Sequence, residues 1–259
     1  MEFIAELQTA HFWAGLGVIV WVNIILSGDN AVVIALAALS LPKHQQRKAI
    51  FWGAGAAVVL RIILTIVAVE MLKLPYLKVI GGLLLFWIAV KLLSPEDGDP
   101  EVKSSDNLLQ AVKIILIADL VMSLDNVVAV AAAAKGSDVL LVLGLAISIP
   151  LVIFGATILM RLMERFPIIV VIGAALIGAV AGELLVTDPT TVDWVGAHVP
   201  WMEIHLPLLG EISWAQVLGA ALVVVVGKWM GARAAKAVAS EKLVDLAAED
   251  QPGGTGVQG

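Results

Sequence analysis

Long apolar stretches alternate with short polar intervals along this chain. The apolar stretches cover roughly Phe12–Leu41, Ala49–Met71, Tyr76–Leu93, Leu108–Ala134, Val139–Met160, Pro167–Val186 and Trp214–Ala232. A helix of about 20 apolar residues crosses the hydrocarbon core of a bilayer, and in lipid its backbone groups are satisfied internally. The pattern therefore predicts an all-α, polytopic membrane protein of seven transmembrane helices. The first stretch is longer than a straight crossing needs. A break at Ser27-Gly28 accounts for the excess, because Gly weakens a helix and Asp and Asn compete for its backbone groups. Pro150 predicts a kink in the fifth span.

The polar intervals supply the rest of the organisation. Pro42 to Lys48 reads as a loop carrying Lys43, Arg47 and Lys48. Ser94 to Asp106, rich in Asp, Glu, Ser and Pro, reads as a mobile linker. Lys135 to Asp138 reads as a tight turn, and Arg161 to Arg165 as a short basic loop. Thr187 to Ser213 has no Lys or Arg and is flanked or punctuated by Trp194, Trp201 and Trp214, as expected of an interfacial loop with aromatic anchors. Residues 1–250 form one transmembrane domain, with a helical segment after Ala232, and 251–259 a disordered, Gly-rich tail.

Composition agrees: 60% of the 259 residues are hydrophobic and mean hydropathy is +0.99. A soluble domain has about 45–50% apolar residues. The absence of cysteine removes disulfides and thiolate metal sites. No cleavable signal peptide is expected, since Glu2 and Glu6 precede the first span and that span is too long for such a leader. Lys43, Arg47, Lys48, Lys103, Arg161, Arg165, Lys228, Arg233 and Lys236 fall on one side of the predicted membrane, against Lys73, Lys78 and Lys135 on the other. The positive-inside rule then puts the N-terminus outside and the C-terminus in the cytoplasm.

One short motif occurs twice within this apolar background, as Ser27-Gly28-Asp29-Asn30 and Ser123-Leu124-Asp125-Asn126. A carboxylate at mid-bilayer depth costs about 2.5–3.5 kcal/mol even on mild scales, so its repetition points to use. Asp29 and Asp125 are 96 positions apart, as are Asn23 and Asp119. Val79-Ile80-Gly81-Gly82 matches Val171-Ile172-Gly173-Ala174, whereas the second and fifth spans align only loosely. Repeat one (about 12–93) and repeat two (about 107–186) hold three spans each, an odd number, so the halves lie in opposite orientations. The seventh helix, about 214–232, is extra. A 3+3 inverted repeat with interrupted helices at its axis is the organisation of secondary transporters. Duplication for structural reasons alone leaves the costly pair unexplained.

The candidate ligands are Asp29, Asn30, Asp119, Asp125 and Asn126, supported by Asn23, Ser27 and Ser123. Asp119 and Asp125 are six apart, on opposite faces of an intact helix, and converge only if it unwinds between them. All these ligands are oxygens. They suit hard divalent ions such as Mg, Ca or Mn; sodium coordination and a proton-carrying Asp are the other readings. Arg61 and Glu183 are the remaining deep charges. They either neutralise each other or cap a carboxylate, and Arg61 compensates the acidic site when the ion has left. His198 and His205 flank Glu203 in the outer loop and read as solvated side chains.

At Ser27-Gly28-Asp29-Asn30, Arg61, Asp119 and Ser123-Leu124-Asp125-Asn126, over roughly the first 185 residues, the sequence resembles the TerC family of integral membrane proteins, in particular its YjbE-like branch. The resemblance implies seven spans in a bacterial inner membrane and export of manganese, the divalent cation being transported substrate and intramembrane acids its ligands. Asn23 stands where some relatives carry an acid. A secondary metal-ion transporter is thus the leading expectation, with a metal-binding membrane scaffold or assembly factor as the alternative. An enzyme is not expected, because the spans hold no histidine dyad, cysteine or serine–histidine pair. The implied partners are the lipid bilayer and the ion, with no nucleic acid; assembly into a homo-oligomer is left open.

Overall fold

The computed structural model describes residues 9–71, 74–94, 104–134, 137–199, 203–206 and 210–249. Most of the expected 94–106 linker, the Lys135-Gly136 half of the turn and the 251–259 tail lie outside the described residues. Nine helices and one hairpin occur among those described: α1 (Ala10–Leu26), α2 (Gly28–Leu39), α3 (Lys43–Met71), α4 (Leu77–Leu93), α5 (Ser104–Ala134), α6 (Asp138–Arg165), α7 (Ile168–Val186), α8 (Val192–His198), β1 (Glu203–Leu206), β2 (Gly210–Ser213) and α9 (Trp214–Glu249). The strands pair antiparallel, with Glu203 opposite Ser213 and Leu206 opposite Gly210.

Five of these helices are long and apolar enough to cross a membrane: α3, α5, α6, α7 and α9. The bent pair α1–α2 makes a sixth if it is one broken span, its axis turning by 51° at Ser27. The remaining expected span, α4, has 17 residues and is about 25 Å long at 1.5 Å per residue, the short end of what crosses a bilayer. Two expected loops are instead helical. Lys43 to Lys48 forms the first turns of α3, where the Pro42 carbonyl accepts from the Gln45 and Gln46 amides at 2.8 and 3.3 Å. Arg161 to Arg165 continues α6. Lys, Arg and Gln are good helix formers, so polarity there marks the membrane surface rather than a chain break. The Thr187–Ser213 segment holds α8 and the hairpin rather than irregular loop.

The helices pack in a pattern set by small residues. α1 and α2 lie on α6, α3 on α5, α4 on α7, and α9 on α7. A methyl added at Gly53 of α3 would meet Ile115 of α5 at 2.6 Å, and one at Gly144 of α6 would strike Ile19 of α1. Ile19 and Ile115 are 96 positions apart, so the same contact is made twice, with the halves exchanged. Gly178 and Gly182 of α7 bring its backbone against Ala215 and Gly219 of α9, the small-xxx-small approach of membrane helices. At the centre is α2, in which every residue from Asn30 to Ala38 is buried. Trp21, Trp52, Phe154, Leu218 and Val225 are more than half exposed on the outer helix faces, as lipid-facing side chains are.

A carboxylate outside the spans fixes the entry to α4. Tyr76, just before that helix, has φ 64°, a left-handed conformation uncommon for a residue other than glycine. Asp188, two residues beyond α7, accepts from the Tyr76 amide at 3.2 Å and the Lys78 amide at 3.1 Å, and from the Thr190 amide and hydroxyl at 2.8 and 2.5 Å. Burial pushes this carboxyl up, but the donors from Thr190 and from the start of α4 outweigh it and hold it below the usual carboxylate range. One side chain thus caps a helix more than a hundred residues away, tying α4 to the end of α7.

Candidate functional site

The break in the first span follows from the motif's own chemistry. In an intact helix the Asn30 amide would donate to the Leu26 carbonyl. Here it donates instead to Asp29 Oδ1 at 2.8 Å. The freed Leu26 carbonyl accepts from two side-chain amides, Asn30 Nδ2 at 3.4 Å and Asn126 Nδ2 at 3.1 Å. Asn30 and Asn126 are equivalent positions of the two motifs, and they meet on one carbonyl at the break. Ser27 has φ −105° and ψ 4°, and its amide falls back on Ile24 O at 3.3 Å.

Arg61 of α3 occupies the polar centre. Its Nη1 donates to Asn23 Oδ1 at 2.8 Å and Ser27 Oγ at 3.0 Å; its Nε donates to Ser123 Oγ at 3.0 Å; its Nη2 meets Asp119 Oδ1 at 2.5 Å. The Arg61 side chain is 4% exposed and that of Asp119 5%, so this is a buried ion pair. The four acceptors are two equivalent pairs, Asn23 with Asp119 and Ser27 with Ser123, one member from each half. Around them Asn23 Nδ2 donates to Ser148 Oγ of α6, and Ser148 Oγ donates on to Leu145 O at 2.6 Å. Among the described residues, two buried acceptors, Asp119 Oδ2 of this cluster and Asn30 Oδ1 at the break, have no donor. Asp29 is half-buried and within Coulombic reach of both Arg61 and Asp119.

Not every expected residue joins this cluster. Arg61 caps a carboxylate, as one sequence reading had it, but the carboxylate is Asp119 and not Glu183. Glu183 is exposed on α7 and accepts from Gln216 Nε2 of α9 at 2.7 Å. Glu183 and Asp29 both line a groove of about 470 Å³ between α2, α7 and α9. The second motif does not unwind: α5 is continuous through Ser123–Asn126, so the expected interruption is confined to the first motif. The side chain of Asp125 lies outside the described residues. His198 lies on α8, its Nδ1 2.9 Å from Trp194 O and its ring stacked on Trp194; the side chains of Glu203 and His205 are outside the described residues. No group of three acidic or histidine side chains placed to hold a metal ion occurs among the described residues.

Three polar partners went unread in the sequence. Ser148 sits in an apolar run next to Pro150 and carries no signal of its own. Gln216 lies in the first turn of α9, where a polar residue is unremarked. Asp188 had a readable signal: Asp188-Pro189-Thr190 is turn chemistry in which the carboxylate takes the amide two residues on.

Residues 8–236 match the family described as integral membrane protein TerC family. The uncharacterized membrane protein YjbE of Bacillus subtilis is 38% identical over 206 residues, which are 77% of this chain and 94% of that protein. The uncharacterized membrane protein YceF of the same organism is 28% identical over 179 residues, 65% of this chain and 69% of that one. The tellurium resistance protein TerC of Serratia marcescens is 29% identical over 82 residues, 30% of this chain and 24% of its own length. No solved structure matches. A bundle of apolar helices around a buried polar cluster, with a family match spanning nearly the whole chain, makes this an integral multi-pass membrane protein that belongs to the TerC family.

Proposed function

We propose that the chain is a secondary transporter that exports a divalent metal ion, most readily manganese, through a site built from the two Asp-Asn motifs. One observation carries the reading. Oxygen atoms from equivalent positions of both halves converge on Arg61 in the buried interior, and two buried acceptors of the motif helices, Asp119 Oδ2 and Asn30 Oδ1, lack donors among the described residues. Buried acceptors without donors are costly, and a hard cation satisfies them. Carboxylate, amide carbonyl, hydroxyl and main-chain oxygen suit Mn, Mg or Ca rather than a thiophilic metal. Manganese is the ion that the family resemblance implies. The ligand set we assign is Asp29, Asn30, Asp119, Asp125 and Asn126, with Asp125 included from its place in the motif.

The reading includes seven spans, with α4 as one of them, and an inverted relation between the halves. Its support is the exchanged pairing of α3 with α5 and α1–α2 with α6, and the doubled Gly–Ile contact. The membrane is the bacterial inner membrane and the C-terminus is cytoplasmic, on the Lys and Arg distribution. The test is ion flux in proteoliposomes reconstituted with the purified protein, across Mn, Mg, Ca and Na. Saturable, gradient-driven Mn flux is expected. Tight Mn binding with no flux of any divalent ion would replace the transporter with a metal-binding scaffold.

A further inference from the structure

Arg61 is held by Asp119, one of the assigned ligands, and by the neighbouring oxygens of Asn23, Ser27 and Ser123. Its donors are spread over Asn23 and Ser27 of α1 and its C-terminal break, and Asp119 and Ser123 of α5, so a single guanidinium spans both halves. The other half offers no counterpart: α6 carries no charged residue between Val139 and Met160. A guanidinium is weakly hydrated and planar, and it is the cationic side chain best suited to buried, multidentate contact with oxygens. Its backbone is fixed in α3, where Thr65 Oγ1 donates to the Arg61 carbonyl at 2.7 Å and the helix packs along α5. Any change of partner is therefore made by the guanidinium.

We infer that Arg61 is a tethered cation that alternates with the transported metal at the Asp119 carboxylate. The inference rests on the transporter reading above. A divalent ion bound at the donor-free Asp119 Oδ2 sets a second positive charge beside the guanidinium on Oδ1, and like-charge repulsion in the buried interior drives the guanidinium off the carboxylate. When the metal leaves, Arg61 returns, and Asp119 is never buried alone. An unpaired buried carboxylate would resist any reorientation that moves it through low dielectric. The empty protein can therefore return without carrying a second solute cation, because it carries its own. Metal-for-metal exchange does not need this step; net efflux does.

Net Mn efflux and Mn–Mn exchange in proteoliposomes separate the two demands. In Arg61→Gln, net efflux is expected to fall by about tenfold or more while exchange persists. Mn binding is expected to tighten, because a resident competitor lowers apparent affinity by the fraction of sites it occupies. Arg61→Lys, which keeps the charge and loses the fork, is expected to recover part of the net efflux. Equal loss of efflux and exchange with weakened binding, in folded protein, would make Arg61 a structural brace and overturn the inference. So would a variant with unchanged net efflux. Should neither variant fold, the wild-type chain still decides: the Arg61 side-chain nitrogen resonance must move on saturation with a diamagnetic divalent ion, and a resonance that stays put overturns the exchange of partners. Absence of flux in wild type would instead remove the transporter reading itself.

Discussion

The two motif helices begin from nearly the same residues and end in different shapes. Ser27-Gly28-Asp29-Asn30 bends its span by 51°, whereas Ser123-Leu124-Asp125-Asn126 sits in an unbroken helix. The difference at the second position supplies the reason. Gly is about 1 kcal/mol poorer than Ala in a helix and Leu is close to Ala. Leu124 is also 2% exposed, so packing holds that turn straight, while Gly28 has open space around it. With the helix loosened at Gly28, the Asp29 carboxylate can take the Asn30 amide. A motif that repeats in sequence therefore makes one bent helix and one straight one. Charge differs as well, since Asp119 carries it where Asn23 does not, and Arg61 answers only one of them with an ion pair.

Substitutions at equivalent positions test this contrast. The largest difference is expected at the 23/119 pair. Asp119→Ala leaves Arg61 buried without its counter-charge and should cost about 3–5 kcal/mol in unfolding from detergent. Asn23→Ala removes a neutral partner of the guanidinium and should cost about 1–3 kcal/mol. Equal losses would mean that the guanidinium is not held chiefly by Asp119. The second-position pair comes next. Leu124→Gly loses a buried side chain and a helix former, an expected cost of about 2–5 kcal/mol. Gly28→Ala meets no neighbour and should be neutral or stabilising by up to about 1 kcal/mol, yet slow transport by straightening the bend. A Gly28→Ala protein that transports at the wild-type rate would remove the bend from the mechanism.

Smaller effects probe what the halves share. Gly53→Ala and Gly144→Ala each push a methyl into an isoleucine of the other half and should destabilise alike, by about 1–3 kcal/mol. A large effect at one and none at the other would contradict the twofold relation. Asp188→Ala removes the cap of α4, a loss of about 0.5–2 kcal/mol seen as a lower unfolding temperature. Because the Asp188 carboxyl lies below its ordinary range, its contribution is complete above about pH 4 and disappears only as pH falls through the lowered value. A pH scan in which wild type and Asp188→Ala stay equally separated at strongly acidic pH would deny that the ionised carboxylate does the capping.

The five or six apolar spans, the break at Ser27 and the pairing of Arg61 with a carboxylate were legible in the sequence because each has a local signal: apolar length, a Gly-Asp-Asn cluster, a lone deep cation. Which carboxylate Arg61 would choose was not legible, since only the packing of α3 against α5 brings Asp119 to it. The second break was overread. Asp and Asn compete for backbone groups at Asp125-Asn126 as they do at Asp29-Asn30, but buried Leu124 outweighs that competition. The helical starts and ends of α3 and α6 were missed because basic residues mark the membrane surface and also prolong helices.

The most direct test of the account is metal transport by Asp29→Asn and Asp125→Asn, the same change in the bent and the straight motif. Each keeps side-chain shape and removes one charge. If both motifs serve one site, Mn flux in proteoliposomes should be abolished in both variants, which should still fold but lose the stabilisation that Mn gives wild type. Wild-type flux in both variants would contradict the central claim that the two Asp-Asn motifs carry the ion.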